Sequence, residues 1–156
     1  MAEQRATSGR PRRTARRLWI ALCLALGFTG AGQMPIFKRY YLADLPGLAW
    51  TADYMLLHTA HTLLAAVFLA WAGAWAGAWL VRRERVAALG AWRVAVVAGL
   101  AATGLARVVK NLSGVWLPPD LVLAVDWAHL ALALAFGALG AAALLRGAPY
   151  PATAGR

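Results

Sequence analysis

Two histidines, His58 and His61, stand three residues apart inside YMLLHTAHTLLAAVF, a stretch apolar enough to sit in hydrocarbon. The only other histidine, His129, lies in the equally apolar DLVLAVDWAHLALALAF, three residues after Asp126. A third apolar run ends in ARVVKNLSG, which sets Arg107 and Lys110 one turn apart on one helical face. Ionisable groups at membrane depth are costly enough that a functional role is the default hypothesis. Neutral imidazoles on two facing helices at one depth are what bis-histidine haem ligation requires, because the iron takes one ring nitrogen on each face of the porphyrin. Cations such as Arg107 and Lys110, at the end of a neighbouring run, suit the haem propionates. Packed, hydrogen-bonded histidines or ligands of a different metal would use the same residues.

The segments that position these groups follow from length and hydropathy. The chain has 156 residues, 62% of them hydrophobic, against about half in a soluble domain, so a membrane protein is expected. A span needs roughly 20 apolar residues. Four segments qualify, at about 18–36, 50–81, 92–112 and 119–145, between a basic tail at 1–17 and a short tail at 147–156. The expected architecture is all-α, an integral membrane four-helix bundle. The basic leader before the first run matches the start of a secretory signal, but the run continues into GQMPIFKRYY without an A-x-A-like cleavage site and is kept as a span.

Of the 16 Lys and Arg residues, six lie in the N-terminal tail, four in the 82–93 connection and two, Arg146 and Arg156, at the C-terminal end. With four spans these regions share one side, which the positive-inside rule makes cytoplasmic, so both termini are inside. The charge of +10 follows from these clusters at the ends of apolar runs. It forms no basic stripe interleaved with aromatics, so nucleic acid is not an expected partner and the bilayer is. Cys23 is the only cysteine, which removes an internal disulfide, a CxxCH haem attachment and an iron–sulfur site built by this chain alone. WAGAWAGAW puts Trp71, Trp75 and Trp79 on one stripe, the pattern of interfacial aromatics beside a small-residue face. No repeat of 20 to 50 residues is seen.

Counted from Trp50 and Pro119, His58, His61 and His129 lie eight, eleven and ten residues into their spans, roughly 12 to 17 Å deep at 1.5 Å per residue. Both spans begin outside, so the three share the outer half of the bilayer. Ala60, Ala65 and Ala66 on one span and Ala128, Ala131 and Ala133 on the other leave room for a flat ring. Arg107 is favoured for a propionate, and Lys110 either joins it or snorkels to the interface. Asp126 has three roles open to it: orienting His129, accepting a proton beside a quinol, or pairing with Arg107.

With ligands on the second and fourth of four spans, the chain resembles the b-type cytochrome subunits of the formate dehydrogenase gamma and hydrogenase cytochrome b superfamily. FTGAGQMPIFKRYYLADLPGLAW, then H-x-x-H, then RVVKNLSG and DWAHL, look like the short cytochrome b modules that accompany iron–sulfur or multihaem c-type partners in bacterial respiratory complexes. The resemblance covers about residues 28–132 and rests on scattered matches. It implies a multi-pass subunit of the bacterial cytoplasmic (inner) membrane, passing electrons between a quinone and a redox partner without itself being a catalytic subunit. In the larger relatives the second and fourth spans hold the outer haem, which maps here onto His61 or His58 with His129. Their inner haem takes a histidine from the first span, where this chain offers only Cys23, so one haem b is expected and not two. His61, deeper and with small neighbours, is preferred as the ligand. His58, rotated by about 60° with Tyr54 one turn above, then contacts a quinone or serves the structure. Two alternatives are a haem-free membrane anchor and a metal-handling membrane protein; the chain lacks the carboxylate-rich path and broken helices expected of the latter.

Overall fold

The computed structural model describes residues 9–34, 42–82 and 88–146. These residues form four α-helices, α1 (Gly9–Gly32), α2 (Tyr54–Arg82), α3 (Ala88–Val109) and α4 (Pro119–Leu145), with short 3-10 turns at Leu42–Asp44 and Ala49–Ala52. No strand occurs among the described residues. By length and composition three helices suffice to cross a membrane, over Tyr54–Ala78, Ala91–Val109 and Pro119–Leu145, and they mark the chain as a multi-pass membrane protein.

The helix ends have local causes. The second span was expected to begin near Trp50, but Trp50 falls in the 3-10 turn and α2 starts at Tyr54. Asp53 sets that start: its Oδ1 accepts the N–H of Leu56 at 3.0 Å and its carbonyl accepts the N–H of Leu57 at 3.1 Å, the bonding of an N-cap. α4 opens at Pro119, where the missing N–H is one that no helix could satisfy, and the Pro118 carbonyl accepts from Val122 at 3.1 Å. Gly114, with φ of 82°, turns the chain between α3 and α4 in a conformation few side chains allow. The expected third span, 92–112, is instead a helix over Ala88–Val109 that gives way to turns at Lys110. α1 extends back through the basic segment to Gly9, so only its part from Leu18 onward is apolar. Positions 35 and 36 of the expected first span, and the tails at 1–8 and 147–156, lie outside the described residues.

The chain divides into two compact units, one ending at Trp71 and the other beginning at Ala72, with α2 contributing to both. In the first, α1 runs antiparallel beside the N-terminal half of α2. Near the basic end of α1, Trp19 stacks on Phe68 with ring centroids 5.0 Å apart and meets Trp71 at 5.8 Å. Near its other end, Leu57 is fully buried, and a Cβ built on Gly32 would lie 2.8 Å from its Cδ1. In the second unit α3 packs on α4, closely enough that a Cβ on Gly99 would lie 3.0 Å from Leu132 Cδ1. Among the described residues only Leu22, Leu57, Phe68 and Ala143 are buried apolar side chains. Leu63, Leu123, Trp127 and Leu134 are each more than half exposed. A water-soluble domain would bury such groups; here they suit contact with lipid.

Candidate functional site

His61 lies on the side of α2 that meets α1. Its Nδ1 is 3.0 Å from Oγ1 of Thr29, and that oxygen is also 2.8 Å from the carbonyl of Ala25, one turn back along α1. The next residue of α1 is Gly30, where a Cβ would stand 3.2 Å from Cε1 of His61. Glycine therefore lets the ring edge approach the α1 backbone. One turn along each helix a second pair forms. Nδ1 of His58 is 3.1 Å from Oε1 of Gln33, while Nε2 of Gln33 donates to the Thr29 carbonyl at 3.1 Å. The His58 ring also stacks on Tyr54, centroids 5.7 Å apart and planes 11° from parallel.

In the other unit the same arrangement recurs between α3 and α4. Nδ1 of His129 is 2.9 Å from Oγ1 of Thr103, which is 2.7 Å from the carbonyl of Gly99, one turn back. The residue after Thr103 is again glycine, Gly104, and a Cβ there would lie 3.5 Å from Cε1 of His129. One turn further, Asp126 takes the place that His58 has relative to His61, and Arg107 the place that Gln33 has relative to Thr29. Here the pair is ionic. Arg107 Nε lies 2.9 Å from Asp126 Oδ1, and Lys110 Nζ lies 2.9 Å from Oδ2 and 3.0 Å from Oδ1.

Each unit thus carries Thr-Gly followed by a polar residue four positions after the threonine on one helix, and a polar residue three positions before a histidine on the next. The sequence contains this repetition in FTGAGQ with HTAH and in ATGLAR with DWAH. It is not a repeat of 20 to 50 residues, because the paired threonines are 74 residues apart and the matching positions are few. Thr29, Thr103 and Gln33 were not among the expected site residues. What would have found them is the scarcity of polar side chains in the first and third apolar runs.

The expected residues fall into two local groups. His58 and His61 stand with Gln33 and Thr29, while His129, Thr103, Asp126, Arg107 and Lys110 share the α3–α4 hairpin. Of the three roles open to Asp126, pairing with Arg107 is the one seen, and Lys110 joins it. The Nδ1 partner of His129 is the Thr103 hydroxyl. Asp53 caps α2. Among the described residues, no three His, Cys, Asp or Glu side chains gather as a metal-holding group. No protein-family model, curated protein or solved structure matches the chain.

Proposed function

We propose that this chain is a haem b-binding membrane subunit of a bacterial respiratory complex, exchanging electrons between the quinone pool and an iron–sulfur or multihaem c-type partner in the cytoplasmic membrane. The observation that carries it is the recurrence of one histidine setting, His61 on α2 and His129 on α4, each bonded through Nδ1 to a threonine of the preceding apolar helix. A metal-ligating histidine characteristically engages its other ring nitrogen in such a bond, which fixes ring orientation. The donor set fits haem iron, which takes neutral imidazole nitrogens. His61 and His129 would hold the iron, with His58 the alternative to His61 and otherwise placed for a quinone. Bound there, haem supplies one-electron exchange at membrane depth. The chain's own part is to hold the imidazoles, exclude water with the apolar helices and set the local charge through Arg107, Lys110 and Asp126.

The reading includes α1 as a fourth span with both termini cytoplasmic. Contacts of α1 and the residue that follows it with α2 run from Trp19 on Trp71 to Gln33 on His58, 13 residues of α2 and about 20 Å of rise. A helix lying beside a membrane-crossing segment over that length shares its depth.

A pyridine haemochrome assay on the purified protein should find about one non-covalent haem b per chain, with a low-spin spectrum. His129→Ala should abolish incorporation, and only one of His58→Ala and His61→Ala should do so. No haem, two haems, or low-spin haem retained in His129→Ala would refute the assignment. The haem-free anchor is the second reading, favoured by Asp126 pairing with both Arg107 and Lys110 within the chain. It predicts a colourless protein.

A further inference from the structure

We infer that the fold holds all three histidines in a single tautomer, with the proton on Nδ1 and the lone pair on Nε2, and that Thr29, Thr103 and Gln33 are the positioning residues that impose it. That the lone pair serves haem iron rests on the function proposed above; the tautomer does not.

The argument is one of hydrogen counting. A threonine hydroxyl has one proton and two lone pairs. Oγ1 of Thr29 lies 2.8 Å from the Ala25 carbonyl, and Oγ1 of Thr103 lies 2.7 Å from the Gly99 carbonyl. Two oxygens at that separation need a proton between them, and the carbonyl has none, so each hydroxyl donates backward along its own helix. Its remaining capacity is to accept. The imidazole nitrogens at 3.0 Å and 2.9 Å must therefore be the donors, which puts the protons on Nδ1 of His61 and of His129. A neutral imidazole protonated at Nδ1 carries its lone pair on Nε2.

For His58 a different group reaches the same end. The Thr29 carbonyl can only accept, so the atom of Gln33 bonded to it at 3.1 Å is the amide nitrogen. The amide oxygen then faces His58, and Nδ1 at 3.1 Å must donate to it. Thr29 thus fixes two rings, His61 through its hydroxyl and His58 through its carbonyl and Gln33. Glycine beside Thr29 completes the arrangement at His61. With a Cβ position only 3.2 Å from Cε1 of His61, a larger residue at Gly30 would press on the ring edge between its two nitrogens, whereas at Gly104 a Cβ would meet Cε1 of His129 at 3.5 Å, an ordinary contact.

The test is the tautomer itself in the full-length protein, produced without added haem precursor, labelled with ¹⁵N-histidine and held in detergent at about pH 8. Two-bond ¹H–¹⁵N spectra distinguish protonated from bare ring nitrogens. All three histidines should show protonated Nδ1 and bare Nε2. Thr103→Val, nearly isosteric, should release His129 toward the other tautomer and leave His58 and His61 unchanged, while Thr103→Ser should keep the native pattern. A wild-type protein whose His61 or His129 is mainly protonated at Nε2 overturns the inference, as does a Thr103→Val protein with an unaltered His129. Titration with haemin then separates the two claims. Native tautomers without haemin binding would refute the haem function alone. Where haemin binds, Thr103→Val should weaken it about 10- to 100-fold, the usual cost of losing a partner behind a metal ligand, and Thr103→Ser should restore it. Equal affinity in Thr103→Val would remove the positioning role.

Discussion

At the scale of single residues, the groups legible in the sequence are those whose cost in hydrocarbon makes them conspicuous: His58, His61, His129, Arg107, Lys110 and Asp126. Their partners are less legible, because a threonine or glutamine in an apolar run looks the same whether it bonds its own backbone or a neighbouring ring. The ionic group shows what sequence leaves undecided. Arg107 was expected at a propionate and Asp126 beside His129, a quinol or Arg107; the hairpin brings both cations to the one carboxylate, two positive charges against one negative. Arg107 engages Asp126 through Nε, and its terminal guanidinium nitrogens add further donors for a second anion. If haem is bound through His129, one turn from Asp126, the two charge changes should act with opposite sign. Arg107→Gln removes a cation that disfavours the oxidised, more positive iron and should lower the midpoint potential. Asp126→Asn removes an anion and should raise it. Shifts of tens of millivolts are expected, with about 59 mV corresponding to a tenfold change in a one-electron equilibrium. Optical redox titration of both variants checks the signs. Shifts of the same sign would mean that the cluster acts through packing and not through its field.

At the scale of elements, α4 was expected over residues 119–145 and is found at Pro119–Leu145, because a proline marks its start and its apolar run has no competing signal. α2 begins four residues later than hydropathy alone suggests, since Trp50 is apolar but Asp53 supplies the cap. Asp53→Ala should therefore cost about 1 kcal/mol, the usual loss of an N-cap, read as a small drop in thermal midpoint in detergent. The α1–α2 packing is absent from the sequence altogether. Gly32 meets Leu57, fully buried, where an added Cβ would lie 2.8 Å from a methyl carbon. Leu57 has little room to yield, so Gly32→Ala should cost about 1–3 kcal/mol by overpacking. Gly73→Ala, where a Cβ would meet nothing within 4 Å, is the matched control and should be neutral or slightly stabilising. Thermal unfolding of the two variants followed by circular dichroism separates them. Equal midpoints would place Gly32 away from the packed face.

At the scale of the whole molecule, the open question is the parity of the spans, and it decides sidedness. Among the described residues three helices are long and apolar enough to cross a membrane, which alone would leave the two termini on opposite sides. α1 falls outside that set because arginines occupy its first two turns and its apolar part, Leu18–Gly32, covers only about 22 Å at 1.5 Å per residue. Its contacts argue the other way. Thr29 bonds His61, eight residues into α2, and Trp19 packs against Trp71, so α1 accompanies α2 through most of its crossing. These contacts support the proposal that α1 is a fourth span. With α1 as the proposed fourth span, the positive-inside rule would put its arginine-rich end and the arginines of the 82–93 segment on the cytoplasmic side. Paired reporter fusions test this directly. Fusions at the N-terminus and at the C-terminus should both read cytoplasmic, and a fusion near Asp44 should read external. Opposite readings at the two termini would establish three spans, leave α1 outside the bilayer and withdraw membrane depth from the Thr29–His61 pair.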